Sequence, residues 1–332
     1  MRAPAFWWKT APDARAFLLS PLGAVYGAAT ARRMARPGTR VGAPVICIGN
    51  FVVGGAGKTP TAIALAQALQ GLGERPFFLT RGYGARQPVT TPLRVDPRQH
   101  DSERVGDEPL LLARAAPTIV SPDRIAGARL AISEGASVLV MDDGLQNPQL
   151  HKDFSIAVVD GAAGIGNGLC MPAGPLRAPL AAQLALVDAV IVIGMGAAGD
   201  GVAAAANALG RPAFRAALAP EPEAAAYLRG RGVVAFAGIG RPEKFFDTLR
   251  EIGVELHATS AFGDHHPYTP GQLSILRELA ATLDAQLVTT EKDLVRIGHA
   301  PDIAALPVRL AMEHADSMSA LAMTALAAAA QR

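Results

Sequence analysis

The segment from residue 45 to residue 70 constrains this chain more than any other feature of its sequence. An apolar run, Val45–Gly49, precedes the glycine-rich loop Gly54-Gly55-Ala56-Gly57-Lys58-Thr59, and helical spacing follows over residues 61–70. This order predicts a strand, a phosphate-binding loop and a helix. Inward-facing backbone N–H groups and the helix dipole suit the phosphates of a nucleoside triphosphate such as ATP. We expect Lys58 to reach the β- and γ-phosphates and the Thr59 hydroxyl to bind Mg²⁺.

One position of this loop departs from the full phosphate-loop pattern. The pattern has a glycine five residues before Gly57, where this chain has Val52. The paired glycines Gly54 and Gly55 are closer to variant loops, which usually carry a second lysine where this chain has Val53. Because the strand and the helix flank the loop in the correct order, we expect it to bind phosphate.

Two adjacent carboxylates follow a second apolar run, at residues 138–141. Asp142 and Asp143 end this predicted strand, and ligands of an open parallel sheet gather at the carboxyl ends of its strands. We therefore expect one of them to bind Mg²⁺ directly or through water. The structural alternative is that the pair starts a turn before Gly144.

Arg81 is predicted at the same edge, and two further charged pairs are candidates, each with a structural alternative. Arg81 follows the apolar run 77–79 and is a candidate phosphate contact or a turn-stabilising arginine. Asp107-Glu108 and Asp123-Arg124 precede helical patterns, so their acidic side chains could equally be ordinary helix N-terminal groups.

Adjacent histidines, His265 and His266, follow Asp264. Neighbouring side chains of a strand point to opposite faces, so bidentate metal binding by the pair is not expected. One neutral histidine beside a carboxylate can assist proton transfer from an alcohol. Taken alone, however, the motif favours a structural histidine.

Residues 1–40 differ from the rest of the chain in charge and in aromatic content. They hold seven basic side chains against one acidic side chain, whereas the remainder has an acidic excess. Both tryptophans, Trp7 and Trp8, lie in this arm, followed by leucines and an alanine run. The basic cluster follows the apolar stretch, which argues against a signal peptide. The longest uncharged run, residues 16–31, is too short for a spanning helix.

The sequence supports two interpretations of this arm equally. In one, aromatic and leucine side chains lie at the headgroup boundary of a membrane and the arginines contact anionic lipid. In the other, an N-terminal helix packs on the body of the protein and its basic end is solvated. A nucleic-acid partner is not expected, since no further basic patches with interleaved aromatic side chains follow.

Strand-like runs alternate with alanine-rich helical stretches, which predicts an α/β fold. The runs cover residues 45–49, 77–80, 138–142, 155–160, 188–194, 233–237, 254–258 and 286–290. We expect a P-loop NTPase-type parallel sheet flanked by helices over residues 41–220 and a smaller α/β domain over residues 221–332. The site should lie between them. The two cysteines lack metal-ligand spacing, which fits a reducing cytoplasm better than a disulfide framework.

Nine short motifs, in order from residue 49 to residue 293, resemble the tetraacyldisaccharide 4′-kinase family of lipid A biosynthesis. They are Gly49-Asn50 with Val53-Gly54-Gly55-Ala56-Gly57-Lys58-Thr59-Pro60, Thr80-Arg81-Gly82-Tyr83-Gly84, Val105-Gly106-Asp107-Glu108-Pro109, Asp123-Arg124, Asp142-Asp143-Gly144-Leu145-Gln146, Pro172-Ala173-Gly174-Pro175-Leu176-Arg177, Gly238-Ile239-Gly240-Arg241-Pro242, Phe262-Gly263-Asp264-His265 and Thr290-Glu291-Lys292-Asp293. One such motif would be weak support, but nine in order are specific.

The resemblance implies transfer of the ATP γ-phosphate to the 4′-hydroxyl of a tetraacylated glucosamine disaccharide 1-phosphate, which gives lipid IVA. It also implies a peripheral, monotopic enzyme on the cytoplasmic face of the inner membrane of a Gram-negative bacterium. An anionic membrane surface would then be the partner of the basic, aromatic arm, and we expect a monomer.

The resemblance further implies that Asp107 accepts or orients the proton of the 4′-hydroxyl, with His265 as its partner and Lys58 on the transferred phosphate. His265 is preferred to His266 because the family motif reads Asp-His. The chain departs from the family at Ala178, where glutamate usually follows Leu-Arg. This change removes any metal or structural role of a carboxylate there.

Other residues implied by the resemblance surround the nucleotide. The Mg²⁺ shell would contain Asp143, with Thr59, Asp142 and Glu108. Three side chains would contact phosphate or order the site: Arg81, Arg124 and Gln146. The nucleotide would lie on the loop from Gly54 to Thr59.

Two other function classes fit parts of the sequence. A soluble P-loop kinase or ligase acting on a small polar metabolite would share the loop and the acidic strand, with the arm packed as core. A GTP-driven switch or metallochaperone usually needs Asn/Thr-Lys-x-Asp for guanine specificity. The lysine of Thr290-Glu291-Lys292-Asp293 comes one position late, so we discount this class.

Overall fold

The computed structural model describes residues 3–87 and 89–331, which form two sheets with helices on both faces. Arg2, one of the basic side chains of the arm, lies outside the described residues. A short 3₁₀ turn, Ala5–Trp8, comes first. The elements up to residue 220 are α1 (Ala14–Met34), β1 (Val45–Gly49), α2 (Lys58–Gly71), β2 (Pro76–Thr80), β3 (Leu93–Arg94), α3 (Ser102–Val105), α4 (Asp107–Ala115), β4 (Thr118–Val120), α5 (Arg124–Ser133), β5 (Val138–Asp142), β6 (Phe154–Asp160), α6 (Leu180–Leu184), β7 (Ala189–Ile193), α7 (Ala197–Ala208) and β8 (Ala213–Pro220).

The remaining elements form a second α/β unit and then return to the first. They are α8 (Pro222–Leu228), β9 (Gly232–Ala237), α9 (Pro242–Glu251), β10 (Glu255–Ala261), α10 (Pro270–Thr282), β11 (Gln286–Thr290), α11 (Glu291–Ile297), β12 (Ile303–Leu306), β13 (Val308–Met312) and α12 (Ser317–Ala330). The smaller sheet is parallel, with the order β10-β9-β11-β12.

The larger sheet brings the phosphate loop and the acidic pair together. Its order is β13-β8-β7-β6-β1-β5-β2-β4-β3, with antiparallel pairing only at the two edges among the described residues. Ile48 of β1 lies opposite Asp142 of β5 and Ile156 of β6. The segments that follow β1 and β5 therefore leave the same edge of the sheet side by side.

Helices cover both faces of the larger sheet, which explains why its central strands read as continuous apolar runs. β1, β5 and β7 are buried at every position. One core layer contains side chains of α2, α4 and α12, and the other contains side chains of α5 and α7. Strands buried on both faces lack the apolar–polar alternation of a half-exposed sheet. The α/β fold predicted from the sequence is confirmed.

All eight strands that the sequence predicts are present, and five strands of the described chain were missed. The missed strands are β3, β4, β8, β12 and β13. β3 and β4 have two and three residues, too few to show a period. β8, with the sequence Ala-Phe-Arg-Ala-Ala-Leu-Ala-Pro, is rich in alanine, which favours helix, and only one of its residues is buried.

The expected C-terminal domain does not extend to the end of the chain. Its start at residue 221 coincides with the end of β8, but β13 pairs antiparallel with β8, from Val308 opposite Pro220 to Met312 opposite Ala216. Helix α12 then packs in the same apolar layer as α2. Residues 308–330, which the sequence expectation placed in the unit over 221–332, thus lie with the larger sheet's unit: β13 is its edge strand and α12 packs beside α2.

Helix α1 has features of both interpretations of the arm. Its small residues face the body: a Cβ at Gly23 would lie 2.6 Å from the Cys170 carbonyl oxygen. The indole Nε1 of Trp7 donates to the Pro172 carbonyl at 3.0 Å. On the outer face, Leu18 and Val25 are 81% and 71% exposed. Within the described chain, no helix has both the length and the apolar character needed to cross a membrane.

Candidate active site

The phosphate loop runs from the end of β1 to the first turn of α2. Gly57 has φ 91°, a left-handed conformation that glycine adopts without strain, and it turns the chain into the helix. Asn50 Nδ2 donates to the Gly54 carbonyl at 2.8 Å and ties the start of the loop to its middle. Lys58 is buried, with its Nζ 3.3 Å from the Gly54 carbonyl and 3.9 Å from Asp143 Oδ1. Thr59 follows it and is also buried.

The two carboxylates after β5, those of Asp142 and Asp143, differ in their hydrogen-bond partners. Neither oxygen of buried Asp142 has a hydrogen-bond partner within the described residues. Burial and the neighbouring Glu108 carboxylate raise the pKa of Asp142. Asp143 adopts φ 53°, and burial opposes its ionisation, but Lys58 and Arg177 lower its pKa. The pKa values of these two adjacent carboxyl groups are therefore shifted in opposite directions.

Arg177 links the acidic pair to the loop, a role that the sequence did not reveal. Its guanidinium binds Asp143 with two hydrogen bonds of 2.8 and 3.2 Å. Its Nε donates to the Val52 carbonyl at 3.1 Å. The only signal was the motif around Pro175-Leu176-Arg177, to which no role was assigned. The bidentate pair fixes Asp143 relative to the loop.

Gln146 is held by the protein rather than left free for a ligand. Its Nε2 donates to the Asn50 carbonyl and to Gln183 Oε1, both at 2.9 Å, and its Oε1 accepts from Arg177 at 3.0 Å. This arrangement fits the ordering of the site, one of the two roles that the resemblance implied. Ala178 is fully buried, and its carbonyl accepts from Gln183 at 2.7 Å.

Asp107 begins α4 at the junction of the two units. Gly106, with φ 88°, lets the chain pass the Tyr83 carbonyl, where a Cβ would approach to 2.5 Å. The Asp107 side chain is buried, and its Oδ2 is 3.1 Å from His265 Nδ1. Burial opposes ionisation of Asp107, but the His265 hydrogen bond and nearby cations hold its pKa well below the usual range.

The adjacent histidines lie in a turn after β10, not in a strand, and diverge. His265 adopts φ 54°, and its Nδ1 contacts Asp107, an interaction that raises the pKa of His265. His266 instead stacks on Phe262 with ring centroids 4.7 Å apart, and its Nε2 lies 3.0 Å from Gln272 Oε1. Of the pair, His265 is the one brought to Asp107.

Two cations of α11 also meet the site: Lys292, which belongs to a family motif but had no predicted role in the site, and Arg296, which no motif contains. Lys292 Nζ donates to Glu108 Oε1 at 2.7 Å. Burial opposes ionisation of Glu108, yet Lys292 and Lys58 lower its pKa. Arg296 Nη2 donates to Asp107 Oδ2 at 2.5 Å. Since α11 belongs to the smaller sheet's unit, that unit supplies three partners of the Asp107-Glu108 pair.

Arg124 is close enough to Arg81 and to the acidic pair Asp142–Asp143 to be influenced by their charges. Arg124 is buried at the start of α5, and its Nη1 donates to the Ser121 carbonyl. Burial and the charge of Arg81 lower the pKa of Arg124 to about 10, while Asp143 acts in the opposite sense. Arg81 itself is exposed in the loop after β2. Asp123, the alternative for this motif, does cap α5 by accepting from the backbone N–H groups of residues 125 and 126.

A further ionic contact joins the two units beside the phosphate loop. Asp160 ends β6, the strand next to β1, and accepts from Lys244 Nζ at 2.9 Å and from Arg241. Arg241 precedes α9 and Lys244 lies in its first turn. Arg241 belongs to one of the nine family motifs, but its partner was not predicted from the sequence.

Among the described residues, no group of three or more His, Cys, Asp or Glu side chains forms a complete metal site. The polar side chains along this edge instead fit a cation that shares its ligands with phosphates. Asp142 has unused oxygens, and Glu108 acts on its pKa. Mg²⁺ in such sites takes one or two carboxylates together with phosphate oxygens.

Comparison with known proteins identifies the relatives of this fold and site. The family model described as Tetraacyldisaccharide-1-P 4′-kinase matches residues 15–326. The chain belongs to this family. A tetraacyldisaccharide 4′-kinase of Methylobacterium sp. (strain 4-46) is 60% identical over 317 residues, covering 96% of this chain and 95% of the relative. That of Methylobacterium nodulans is 58% identical over 317 residues, covering 96% and 94%.

A solved structure of the same family has the same fold. It is the "apo" form of LpxK from Aquifex aeolicus in complex with ATP, with a TM-score of 0.72 and 24% sequence identity. The match covers 93% of this chain and 99% of that chain. The rival class inferred from the sequence, a soluble kinase or ligase for a small polar metabolite, has no support in these relatives.

Proposed function

We propose that this chain transfers the γ-phosphate of ATP to the 4′-hydroxyl of a tetraacyl glucosamine disaccharide 1-phosphate and forms lipid IVA for lipid A biosynthesis. The observation that carries this proposal is the Asp107–His265 pair at 3.1 Å, beside the edge that carries the phosphate loop. The charge of Lys58 lowers the pKa of Glu108, the residue after Asp107. The loop proposed to bind the nucleotide is therefore close to the pair proposed to bind the acceptor hydroxyl. The named activity of close relatives identifies the acceptor.

In this mechanism the acceptor oxygen attacks the γ-phosphorus, the bond to the β-phosphate bridging oxygen breaks, and ADP leaves. Asp107 accepts the hydroxyl proton, since its lowered pKa keeps it ionised at neutral pH. A weak base suffices because phosphoryl transfer has a loose transition state and the proton leaves late. The main contribution of Asp107 and His265 is then to orient the hydroxyl toward the phosphate.

Lys58 and the loop backbone stabilise charge on the transferred phosphate. The lysine is buried and close to the loop carbonyl of Gly54, so a bound phosphate would replace that weak contact with a charge-assisted one. Arg81 and Arg124 add positive charge, and their mutual repulsion is relieved by an anion between them. We assign these four groups, Lys58, the Gly54–Gly57 backbone, Arg81 and Arg124, to nucleotide binding.

Mg²⁺ would be held by the Thr59 hydroxyl and by Asp142, with Asp143 and Glu108 at the edge of its shell. When bound, the ion neutralises phosphate charge and orients the γ-phosphate. The unpartnered oxygens of Asp142 support this assignment, because a buried carboxylate without hydrogen bonds is costly unless a cation reaches it. Asp143 already forms an ion pair with Arg177, so we propose that it contributes less to Mg²⁺ binding than Asp142 does.

We propose that the outer face of α1 lies in a membrane interface on the cytoplasmic side of the inner membrane. Phe17, Leu18, Leu22 and Val25 are 70%, 81%, 61% and 71% exposed on this helix. Basic side chains at the helix end, at positions 32, 33 and 36, are also exposed. An apolar face flanked by arginines suits anionic lipid, where each basic side chain contributes about 1 kcal/mol.

The direct test is an assay of purified protein with ATP and detergent-dispersed tetraacyl disaccharide 1-phosphate. We expect transfer of labelled phosphate to the lipid, dependent on Lys58 and Asp107. A small polar acceptor should not be phosphorylated at a comparable rate. Absence of lipid phosphorylation under conditions in which ATP binds would contradict the proposed function.

A further inference from the structure

We propose that Arg296 is a positioning residue for Asp107: it holds one carboxylate oxygen so that the other faces the acceptor hydroxyl. This inference rests on the kinase activity proposed above. Arg296 lies in the last turn of α11, in the smaller sheet's unit, whereas Asp107 is the first residue of α4, beside the larger sheet. The geometry of the proposed base therefore depends on a side chain from the other unit.

The two carboxylate oxygens of Asp107 have unequal surroundings. Oδ2 accepts from Arg296 Nη2 at 2.5 Å and lies 3.1 Å from His265 Nδ1. Within the described residues, the one hydrogen bond to Oδ1 comes from the backbone N–H of Glu108 at 3.1 Å. A carboxylate oxygen has two lone pairs, so Oδ2 is fully used and Oδ1 retains one. Oδ1 is therefore the oxygen left for a substrate hydroxyl.

The loop after β2 passes beside Oδ1 at Gly84. A methyl group at Gly84 would lie 3.9 Å from Asp107 Oδ1 and 3.7 Å from His265 Nδ1. With only hydrogen at this position, the loop after β2 leaves room beside both groups. An acceptor oxygen in this space could meet Oδ1 while Arg296 stays on the far oxygen.

Arg296 can orient the Asp107 carboxylate because the second terminal nitrogen of its guanidinium is itself held by hydrogen bonds. Its Nη1 donates to Asp293 Oδ1 at 2.7 Å and to the Gly238 carbonyl at 3.3 Å. Asp293 is fully buried and also accepts from Tyr268 at 2.9 Å and from the Gly238 N–H at 3.0 Å. The guanidinium is planar, so anchoring one nitrogen sets the direction of the other.

A merely structural contact between the units is the rival explanation, and the chain offers a matched control for it. Arg114 donates to Glu291 at 3.2 Å and joins the same two helices, α4 and α11. This pair does not include Asp107, and both of its side chains are partly exposed. Loss of Arg114 therefore removes an ion pair between the units while the Asp107 carboxylate keeps its contacts.

The first experiment compares kcat and the KM for lipid in R296K, R296M and R114M, with folding checked by circular dichroism. Misplacement of a reacting group by about 1 Å can cost about 100-fold, so we expect R296M to lower kcat by about 10-fold to 100-fold. R296K should have a kcat between those of R296M and the wild type. Its ammonium can reach Asp107 but lacks the two coplanar terminal nitrogens of the guanidinium. R114M should match the wild type, and KM should change less than kcat in the Arg296 variants.

The second experiment is a double-mutant cycle with D107N, which keeps the side-chain shape and removes the charge. If Arg296 acts only through Asp107, R296M should cost little further kcat in the D107N background. Equal losses in both backgrounds would overturn the positioning role, as would an R296M kcat equal to that of R114M. A raised KM with unchanged kcat would also overturn it, since Arg296 would then bind substrate. Inactive wild-type protein would instead contradict the proposed function itself.

Discussion

Asp107 and His265, 158 residues apart in the chain, meet at 3.1 Å across the junction of the two units. Asp107 starts a helix of the larger sheet's unit, and His265 follows β10 of the smaller sheet. Neither unit alone contains the pair. Any change in the relative placement of the units would alter the group that we propose to orient the acceptor hydroxyl.

Asp107→Asn should lower kcat by about 10²–10⁴-fold, the usual contribution of a positioned acid or base. His265→Ala should also lower kcat, and the two effects should be non-additive because the two side chains act together as one pair. The measurement is steady-state phosphorylation of the lipid by each single variant and by the double variant. Fully additive losses would mean that His265 has a role independent of Asp107.

Thr59→Ala should abolish phosphoryl transfer, whereas Thr61→Ala should retain most of it. Both threonines lie in the first turns of α2 and both are buried. The Thr61 hydroxyl donates to the Gly57 carbonyl at 2.9 Å, an ordinary bond to its own helix, and Thr59 is the proposed Mg²⁺ ligand. Lys58→Ala should behave as Thr59→Ala does. Near-normal turnover in Lys58→Ala would contradict the phosphate-loop assignment.

Asp142→Asn should raise the Mg²⁺ concentration needed for half-maximal activity more than Asp143→Asn does. The reason is that Asp142 has unpartnered oxygens, whereas Asp143 is bound by Arg177 at 2.8 Å. Titration of activity with Mg²⁺ at saturating ATP distinguishes them. A larger shift for Asp143→Asn would reverse our assignment and make Asp143 the principal ligand.

Replacement of three outer residues of α1, in the variant L18E/L22E/V25E, should release the protein from anionic vesicles. It should also raise the KM for lipid while kcat for dispersed substrate stays close to normal. These side chains are exposed, so the helix should remain packed through its opposite face. Sedimentation with vesicles at two salt concentrations measures the effect.

The matched control for the α1 variant is Ile275→Glu, since Ile275 is 66% exposed on α10. This substitution should leave vesicle binding unchanged. Binding of the wild type should weaken with salt, because charge interactions are screened over about 10 Å at 0.1 M. Undiminished sedimentation of L18E/L22E/V25E would move the membrane contact to another surface.

Asp160→Asn should lower stability at pH 7 by about 1 kcal/mol, a value kept small because Arg241 and Lys244 are 43% and 56% exposed. Burial opposes ionisation of Asp160, but hydrogen bonds from both cations lower its pKa below the ordinary 3.8. A lowered folded-state pKa gives stability that is present above the unfolded value and lost as pH falls. The Tm of the wild type should therefore exceed that of Asp160→Asn at pH 7, and this difference should disappear below about pH 4. A Tm difference that does not change with pH would contradict the ionic role of Asp160.

Local order in the sequence was enough to predict the phosphate loop and the acidic pair. A buried strand, its glycines and the next helix are consecutive, and the rule for parallel sheets brings Asp142 to the same edge. The α/β alternation predicted the central strands for the same reason. Resemblance to a family added Asp107 and His265, which local patterns alone assigned to a helix start and a structural histidine.

The partners of these residues could not be predicted, because each comes from a distant segment as a single charged side chain. Arg296 and Lys292 lie 189 and 184 residues from their partners, and Arg177 lies 34 residues from Asp143. Isolated arginines and lysines have no periodicity, and only packing of the two units decides which acid they meet. The return of β13 to the larger sheet was also missed, because its pairing partner β8 is distant in the chain.

The most direct test of the account is transfer of ³²P from γ-labelled ATP to tetraacyl disaccharide 1-phosphate by the wild type, Lys58→Ala and Asp107→Asn in parallel. We predict labelled lipid with phosphate at the 4′ position for the wild type. Lys58→Ala should form none, and Asp107→Asn should form it at a rate lower by about 10²–10⁴-fold. Unlabelled lipid with the wild type, or equal labelling by all three proteins, would contradict the account.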